Sequence, residues 1–173
     1  MIRPIVKADK KSLRQKSKPV KTVNSATKNL VRDLKETLLA QKDPEGVGLA
    51  APQIGVNMRV FVMFQGEEIL TVINPKVVSV SKEKVKKPSK NSPMEGCLSI
   101  PHFYGPLTRA KKITLEYLDE SGKKRKETFE GFDAQIVQHE IDHLDGVLFV
   151  DRIIENGLPL YEFQDGDWVK ADL

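Results

Sequence analysis

Two of the chain's three histidines lie four residues apart in the stretch QHEIDHLDG, and a glutamate directly follows the first of them. On a helix, residues i and i+4 share a face, so His139 and His143 can direct one imidazole nitrogen each at a single metal ion. Glu140 lies about a third of a turn away, where it can act as a general base on water at the metal without binding the metal itself. The alternative is a surface helix that carries two solvated histidines.

A catalytic metal site usually has three protein ligands and one open position, so the two histidines leave such a site one ligand short. The remaining histidine, His102, lies upstream beside a proline, and Glu155 and Glu162 lie downstream in unfavourable local patterns. Cys97 in the stretch EGCLS is the better candidate, because a thiolate binds transition metals strongly. The alternative for this single cysteine is a small buried hydrophobe.

A third stretch, GVGLAAPQIG at residues 46–55, contains glycines that allow close approach of the backbone. It lacks the spacing of a Walker loop or of a dinucleotide-binding fingerprint. Gln53 within it is, on the local pattern alone, an ordinary surface amide. The stretch by itself therefore predicts no more than a turn.

The helices that must position these residues follow from periodicity. One helix is predicted from Asn24 or Ser25, either of which can be its N-cap, through the apolar repeat of SATKNLVRDLKETLLAQK. A second helix, with Asp133 as N-cap and Gly146 as the residue after its end, carries the two histidines and the glutamate.

Apolar residues surround the histidines on and after this second helix. They are Ile136, Val137, Ile141, Leu144, Val147, Leu148 and Phe149. Their distribution indicates burial around much of the helix, where unpaired imidazoles and a carboxylate would be costly. This pattern favours a metal site over a solvated helix face.

Strands are predicted at residues 59–64 and 68–75, joined around Gly66, and residues 77–81 are predicted to continue the sheet. Two alternating runs around a turn at residues 120–122 predict a β-hairpin.

Two further elements are predicted near the end of the chain, namely a strand at residues 147–153 and a hairpin that turns at Asp165 and Gly166. The elements together predict an α+β fold. We expect antiparallel β-strands around a central metal-binding helix, with the N-terminal helix packed outside.

Length and composition fit a single domain over residues 1–173. Apolar residues make up 39% and charged residues 30%, as in soluble globular proteins, and no apolar run is long enough to cross a bilayer, so a membrane partner is not predicted. The single cysteine cannot form an internal disulfide and suits a reducing cytoplasm. The basic N-terminus lacks an apolar signal core, which favours the cytoplasm and leaves an organellar transit peptide as the alternative.

The net charge of +4 arises largely from the N-terminal segment and from SKEKVKKPSK at residues 81–90. Such charge runs usually form solvated faces or loops, and residues 81–91 are predicted as an exposed loop. Aromatic residues do not interleave with these lysines, so base stacking is not supported and a DNA partner is not predicted.

Taken together and in this order, GVGLAAPQ, EGCLS and QHEIDH resemble the three signature motifs of the peptide deformylases. These metalloenzymes remove the N-formyl group from nascent bacterial and organellar proteins. The similarity extends to LRQKSKPV, VINP, SIP, Arg109 and DHLDGVLF, and so covers residues 4–152.

The resemblance implies a metal centre in which Cys97, His139 and His143 bind one divalent ion, with water in the fourth position. Ferrous iron is the expected ion, and zinc, nickel or cobalt can occupy the site. The residues alone do not distinguish iron from zinc.

The resemblance also assigns catalytic roles. Glu140 would take a proton from the attacking water and deliver it to the departing amine. The side-chain amide of Gln53 and the backbone N–H of Leu98 would stabilise the oxyanion together with the metal.

The expected substrate is an N-formylmethionyl peptide of a nascent chain, whose extended backbone pairs with the first motif and with the glycine before the cysteine. The residues that the resemblance places at the substrate are Gly46, Val47, Gly48, Gly96, Tyr104, Phe132 and Ile136. Val47, Phe132 and Ile136 would line the methionine pocket. The alternative for Phe132 is a core side chain.

Several positions depart from the family's pattern. Tyr104 stands where many relatives carry arginine, and Gln135 stands where they are often apolar or basic.

After Arg152 the family often continues as a long basic helix that helps docking on ribosomes, but NGLPLYEFQDGDWVKADL does not resemble one. The resemblance allows transient ribosome association, but docking through this segment is not predicted. Glu95 and Arg109 are expected to pair and orient the cysteine loop, with separate surface charges as the alternative.

Three other functions fit parts of the sequence. A related metal-dependent amidase or peptidase would remove a different N-acyl group. A ribosome-associated metal protein would keep the site without activity, although no residue of the catalytic set is missing. A hydrolase with Cys97 as nucleophile would use a cysteine–histidine pair instead of a metal.

Overall fold

The computed structural model describes residues 1–82 and 94–171. The exposed loop predicted at residues 81–91 lies outside this range from position 83 onward. Among the described residues, no helix is both long enough and apolar enough to cross a membrane.

Within these residues the chain forms helices and two antiparallel sheets. The helices are α1 (Ser25–Leu39), α2 (Gly131–Leu144) and α3 (Phe149–Glu155), with short 3₁₀ helices at Lys11–Arg14 and Ala51–Ile54. The strands are β1 (Gly48–Ala50), β2 (Val60–Gln65), β3 (Glu68–Val80), β4 (Glu95–Cys97), β5 (Ile100–Gly105), β6 (Lys112–Leu118), β7 (Lys124–Glu130), β8 (Leu160–Gln164) and β9 (Asp167–Ala171). The larger sheet has the order β1-β2-β3-β6-β7 and the smaller one β4-β5-β8-β9. The fold is therefore α+β, as predicted.

The larger sheet lies between α1 and α2, and β2 is buried on both faces. Because side chains alternate along a strand, Val60 and Val62 join a core cluster with Leu34 of α1. Phe61 and Met63 join the opposite cluster, which includes the buried side of α2. This arrangement confirms α2 as the central helix and α1 as an outer layer.

The smaller sheet packs against α3. Leu160 of β8, Phe149 and Ile153 of α3 and Cys97 of β4 belong to one buried cluster. In the strand orders, β1 ends the larger sheet and β4 ends the smaller one. Each sheet thus presents one edge strand from a predicted motif, GVGLAAPQIG or EGCLS.

Most of the predicted elements are confirmed. Asn24 caps α1, because its Oδ1 accepts a hydrogen bond from Thr27 N at 3.1 Å. The strands predicted at 68–75 and 77–81 form the single strand β3, whose pairing with β6 shifts register between Ile73 and Lys76. The two predicted hairpins are β6–β7 and β8–β9.

The prediction of Asp133 as the N-cap of α2 is wrong. The helix begins at Gly131, directly after β7, with Glu130 at the N-cap position. Gly131 has a φ of 59°, which lets the chain turn from strand to helix without a loop. Asp133 lies instead in the first turn, where its charge favours the positive end of the helix dipole. Gly146 follows the end of α2 with a φ of 78°, as predicted.

The strand predicted at residues 147–153 is also wrong, since this segment contains α3. Phe149 and Ile153 are four residues apart and share the buried face, a spacing that also occurs in an alternating strand pattern. The backbone N–H of Leu148 donates to Asp151 Oδ2 at 2.8 Å, which stabilises the first turn of the helix. The acidic residue at this position favours a helix more strongly than the β-branched residues of the segment favour a strand.

Replacing Leu115 with alanine tests the core between the larger sheet and α2. Leu115 is fully buried on β6, so we expect the free energy of unfolding in urea to fall by about 2–5 kcal/mol. The exposed neighbour Glu116 is the matched control, and Glu116→Ala should change stability by only about 0.5 kcal/mol. Equal losses in the two variants would contradict this description of the core.

Candidate metal centre and active site

Helix α2 and strand β4 bring three predicted ligands together. His139 Nε2 and His143 Nε2 are 3.2 Å apart, and His143 Nε2 lies 3.2 Å from Cys97 Sγ. All three residues are buried, and their ligand atoms lie within 4.8 Å of one another. The helix supplies both imidazoles from one face, while the cysteine comes from the edge strand of the smaller sheet.

The spacing of these atoms fits a bound transition-metal ion. Nitrogen and sulfur ligands at about 2.0 and 2.3 Å in tetrahedral geometry lie roughly 3.3–3.6 Å from one another. The separations of 3.2 Å are close to this value. A thiolate and two imidazoles are also a donor set that suits iron, zinc, nickel and cobalt.

The orientation of His139 is fixed by Glu95. His139 Nδ1 donates to Glu95 Oε1 at 2.7 Å, which leaves Nε2 free to direct its lone pair at the metal position. Arg109 holds the same carboxylate with two hydrogen bonds, Nε to Oε2 at 2.9 Å and Nη2 to Oε1 at 2.6 Å. Burial raises the pKa of Glu95, but the hydrogen bonds from Arg109 and His139 outweigh burial and lower it to about 2. The predicted pair of Glu95 and Arg109 is thus a buried contact rather than two surface charges.

Asp142 extends this network and was not identified from the sequence. Arg109 Nη1 donates to Asp142 Oδ2 at 2.7 Å, and Arg152 Nη2 of α3 donates to Asp142 Oδ1 at 2.9 Å. The sequence signal for this contact is an aspartate within a helix that is predicted to be buried. A buried carboxylate requires a cationic partner. The sequence does not show which cation that is.

Glu140 is buried beside the ligands and outside the ligand set. Burial raises the pKa of its carboxyl group to about 7, against the opposing charge of His139. A Cβ atom at Gly48 would lie 2.5 Å from Glu140 Oε1 and 2.9 Å from Ile136 Cγ2. The glycine therefore provides the space that the carboxylate occupies.

Gln53 is held against the sulfur. Its Oε1 accepts from Ala50 N at 2.9 Å, and its Nε2 donates towards Cys97 Sγ at 3.6 Å and Ser99 Oγ at 3.3 Å. The side chain is thus buried and oriented, unlike the surface amide that its local pattern indicated. Sequence reasoning missed Ser99, for which the sequence gives no separate signal.

The predicted catalytic and substrate residues line one cleft, into which both edge strands contribute. Its lining includes Gly46, Val47, Gly48, Gln53, Gly96, Cys97, Leu98, Tyr104, Phe132, Ile136, His139 and Glu140. It also includes Pro44, Glu45, Met94, Glu95 and Gln135. His143 is buried and is not among the lining residues. The side chain of Phe132 is 58% exposed, so the alternative of a core side chain is wrong.

Comparison with known proteins agrees with this site. A family model described as polypeptide deformylase matches residues 2–157. Peptide deformylase 2 of Clostridium acetobutylicum is 42% identical over 154 residues, which cover 89% of this chain and 97% of that protein. The peptide deformylase of Pseudothermotoga lettingae is 45% identical over 141 residues, which cover 82% of this chain and 77% of that protein.

Solved structures give the same result. The crystal structure of peptide deformylase from Thermotoga maritima superposes with a TM-score of 0.79 at 36% identity, over 88% of this chain and 97% of that chain. The peptide deformylase from Ehrlichia chaffeensis in complex with actinonin has a TM-score of 0.79 at 36% identity, over 87% and 88% of the two chains. The chain therefore belongs to the polypeptide deformylase family, whose members are metal-dependent hydrolases that remove the formyl group from nascent peptides.

Proposed function

We propose that Cys97, His139 and His143 bind one ferrous ion in this deformylase and that Glu140 is its general base. The observation that carries this proposal is the convergence of one sulfur and two imidazole nitrogens within 4.8 Å, at a cleft that Glu140 also lines. Zinc, nickel or cobalt would fit the same donor set. When bound, the divalent ion supplies Lewis acidity, which lowers the pKa of water and polarises a carbonyl group.

Glu140 performs the proton transfers. Its carboxylate accepts a proton from the water that attacks the formyl carbon, and it then delivers that proton to the nitrogen of the departing amine. The Cys97 thiolate would partly neutralise a bound ion, so proton removal would depend more strongly on Glu140. Gly48 keeps the carboxylate next to the cleft, because a larger residue there would occupy its position.

Gln53 and Leu98 stabilise the negative oxygen that forms during attack. The amide of Gln53 has two hydrogens, and its Nε2 contacts both Cys97 Sγ and Ser99 Oγ. One amide hydrogen can keep its contact with the sulfur, while the other leaves Ser99 Oγ and bonds to the oxyanion. The backbone N–H of Leu98, next to the metal ligand Cys97, supplies the second donor.

The peptide binds in extended form between the edges of β1 and β4. Val47 O accepts a hydrogen bond from Phe64 N at 2.9 Å, so the carbonyl group of Val47 points to β2. Because this direction alternates along the chain, the backbone groups of Gly46 and Gly48 point to the free edge. Gly96 supplies the opposite edge. This main-chain pairing does not depend on substrate side chains, which suits an enzyme that processes many nascent proteins.

The methionine side chain of the substrate enters an apolar part of the cleft. Val47, Phe132 and Ile136 line this part, and both Val47 and Phe132 are exposed at its mouth. Burial of a flexible thioether against such residues favours methionine without demanding a close fit.

The whole chain, residues 1–173, is one catalytic domain that acts on nascent formylated peptides in the bacterial cytoplasm. The single cysteine is compatible with a reducing compartment. Residues 160–171 form a hairpin of the smaller sheet rather than a basic helix, so we do not expect ribosome docking through a C-terminal helix.

Replacing Glu140 with glutamine removes the proposed base while keeping the size of the side chain. We expect hydrolysis of formyl-Met-Ala-Ser to fall by about 10²- to 10⁴-fold, while metal content by elemental analysis stays at one ion per chain. Glu155→Gln is the control, since Glu155 is exposed on α3 and should keep wild-type activity. Full activity in the Glu140 variant would show that the base is wrong.

Metal removal distinguishes the metal mechanism from a cysteine nucleophile. Anaerobic treatment with a chelator should abolish formate release, and ferrous iron or nickel should restore it, because the three ligands hold the ion that provides Lewis acidity. Activity that persists in metal-free protein would instead support Cys97 as a nucleophile.

Gly48→Ala tests whether the glycine provides space for the base. The added Cβ would lie 2.5 Å from Glu140 Oε1, so the carboxylate must move and kcat should fall on the order of 10²-fold. Metal content should change little, because the atoms nearest to the added Cβ belong to Glu140 and Ile136 rather than to the three ligands. Unchanged kcat would show that Glu140 has another productive position.

A further inference from the structure

The C-terminal hairpin lies beyond the residues that the family model matches, which end at position 157. Strand β8 extends the smaller sheet by pairing with β5, and β9 pairs with β8. One face of this hairpin packs towards α3 through Leu160 and Ala171. Its other face carries aromatic side chains. The hairpin residues on this face lie outside the region that the family model matches.

The aromatic side chains on that outer face contact one another across strands. Phe163 and Trp168 are direct cross-strand neighbours with ring centroids 5.0 Å apart. Trp168 also meets Tyr104 of β5 edge to face, at 5.3 Å between centroids and 87° between planes. Trp168 is 51% exposed and Phe163 is 42% exposed. We call Tyr104, Phe163 and Trp168 the aromatic platform.

The aromatic platform is continuous with the substrate cleft through Tyr104. Tyr104 lines the cleft, and its ring lies so close to Gly96 that a Cβ there would be 2.5 Å from ring atoms Cδ1 and Cε1. A peptide paired with the edge of β4 would therefore pass a side chain over this ring after it leaves Gly96. Trp168 contacts this ring and does not itself line the cleft.

Two carboxylates lie near the same end of the cleft. Glu45 lines the cleft together with Tyr104. Burial raises the pKa of Tyr104, and the negative charge of nearby Asp43 raises it further. Glu45 and Asp43 are both exposed, and neither forms an ion pair with a cation in the described part of the chain. This end of the cleft therefore combines aromatic rings with unpaired negative charge.

We propose that Trp168 positions Tyr104, and that these two rings form, with Glu45 and Asp43, a subsite for a lysine or arginine side chain downstream of the formylmethionine. This inference rests on the proposed function. A cation gains energy over an aromatic ring and near a carboxylate, so a basic side chain uses both features, whereas an apolar one uses only the rings. Lys170 lies on the same face of β9, two residues from Trp168, but within the described residues it forms neither an ion pair with Glu45 or Asp43 nor a cation–π contact with the two rings.

Peptide selectivity tests the subsite. We compare kcat/KM for formyl-Met-Ala-Lys and formyl-Met-Ala-Glu, and we expect the lysine peptide to be preferred by about 5- to 10-fold from one cation–π contact and two exposed carboxylates. Trp168→Ala should reduce this ratio to about 2-fold, mainly through a higher KM for the lysine peptide. Trp168→Phe should restore most of the ratio, and Glu45→Gln should lower it.

Val169→Ala is the matched control, because Val169 is adjacent on β9, is exposed, and points to the opposite face of the hairpin. It should keep the wild-type ratio. Equal rates on the lysine and glutamate peptides, or a ratio that Trp168→Ala leaves unchanged, would overturn the subsite while leaving deformylation intact. Inactivity on every formylated peptide would instead overturn the proposed function.

Binding can be measured without turnover, since Trp168 is the only tryptophan of the chain. Titrating the Glu140→Gln variant with either peptide should change tryptophan emission, with half-saturation at a lower concentration of the lysine peptide. Emission that does not respond to the lysine peptide, or responds equally to both, would overturn the subsite even if the catalytic assignment fails.

Discussion

The buried ion pair between Glu95 and Arg109 is the interaction on which the metal centre depends. Glu95 lies next but one to Cys97 on β4, and it also holds His139 of α2. Arg109 binds Asp142 of the same helix. The strand that carries the sulfur and the helix that carries the imidazoles are therefore joined by charged hydrogen bonds, and not only by apolar packing.

Burying such a network costs desolvation free energy, and removing one of its members destabilises the folded protein. Removing one partner of a buried pair typically costs about 3–5 kcal/mol, because the remaining charge stays buried without compensation. Here Arg109 binds both carboxylates, so its loss would leave Glu95 with His139 alone and Asp142 with Arg152 alone. The same contacts that fix ligand geometry thus also resist a shift of β4 relative to α2, which explains why three ligands from two distant segments can converge.

The sequence predicts those parts of the site that depend on local spacing. Two histidines at i and i+4 on a helix, and a glutamate beside them, follow from helical geometry, and the lone cysteine was the best remaining ligand. Contacts between segments distant in sequence were not predictable in the same way. Neither the binding of Asp142 by Arg109 nor the contact of Gln53 with the sulfur has a periodic signal. The misassigned helix α3 shows a related limit, because Phe149 and Ile153 share a face in a helix as well as in a strand.

The cleft joins two kinds of recognition that differ in strength. In the proposed binding mode, backbone pairing at Gly48 and Gly96, together with the metal centre, acts on any formylated chain. In the proposed subsite, Tyr104 and Trp168 are both partly exposed, and a cation–π contact at such a position contributes only about 0.5–1 kcal/mol. Side-chain preference at the exit of the cleft can therefore change the order in which nascent chains are processed, but it is too weak to exclude any of them. An enzyme with broad substrates can carry such a weak preference where aromatic rings remain accessible to solvent, as those of Phe163 and Trp168 do in the C-terminal hairpin.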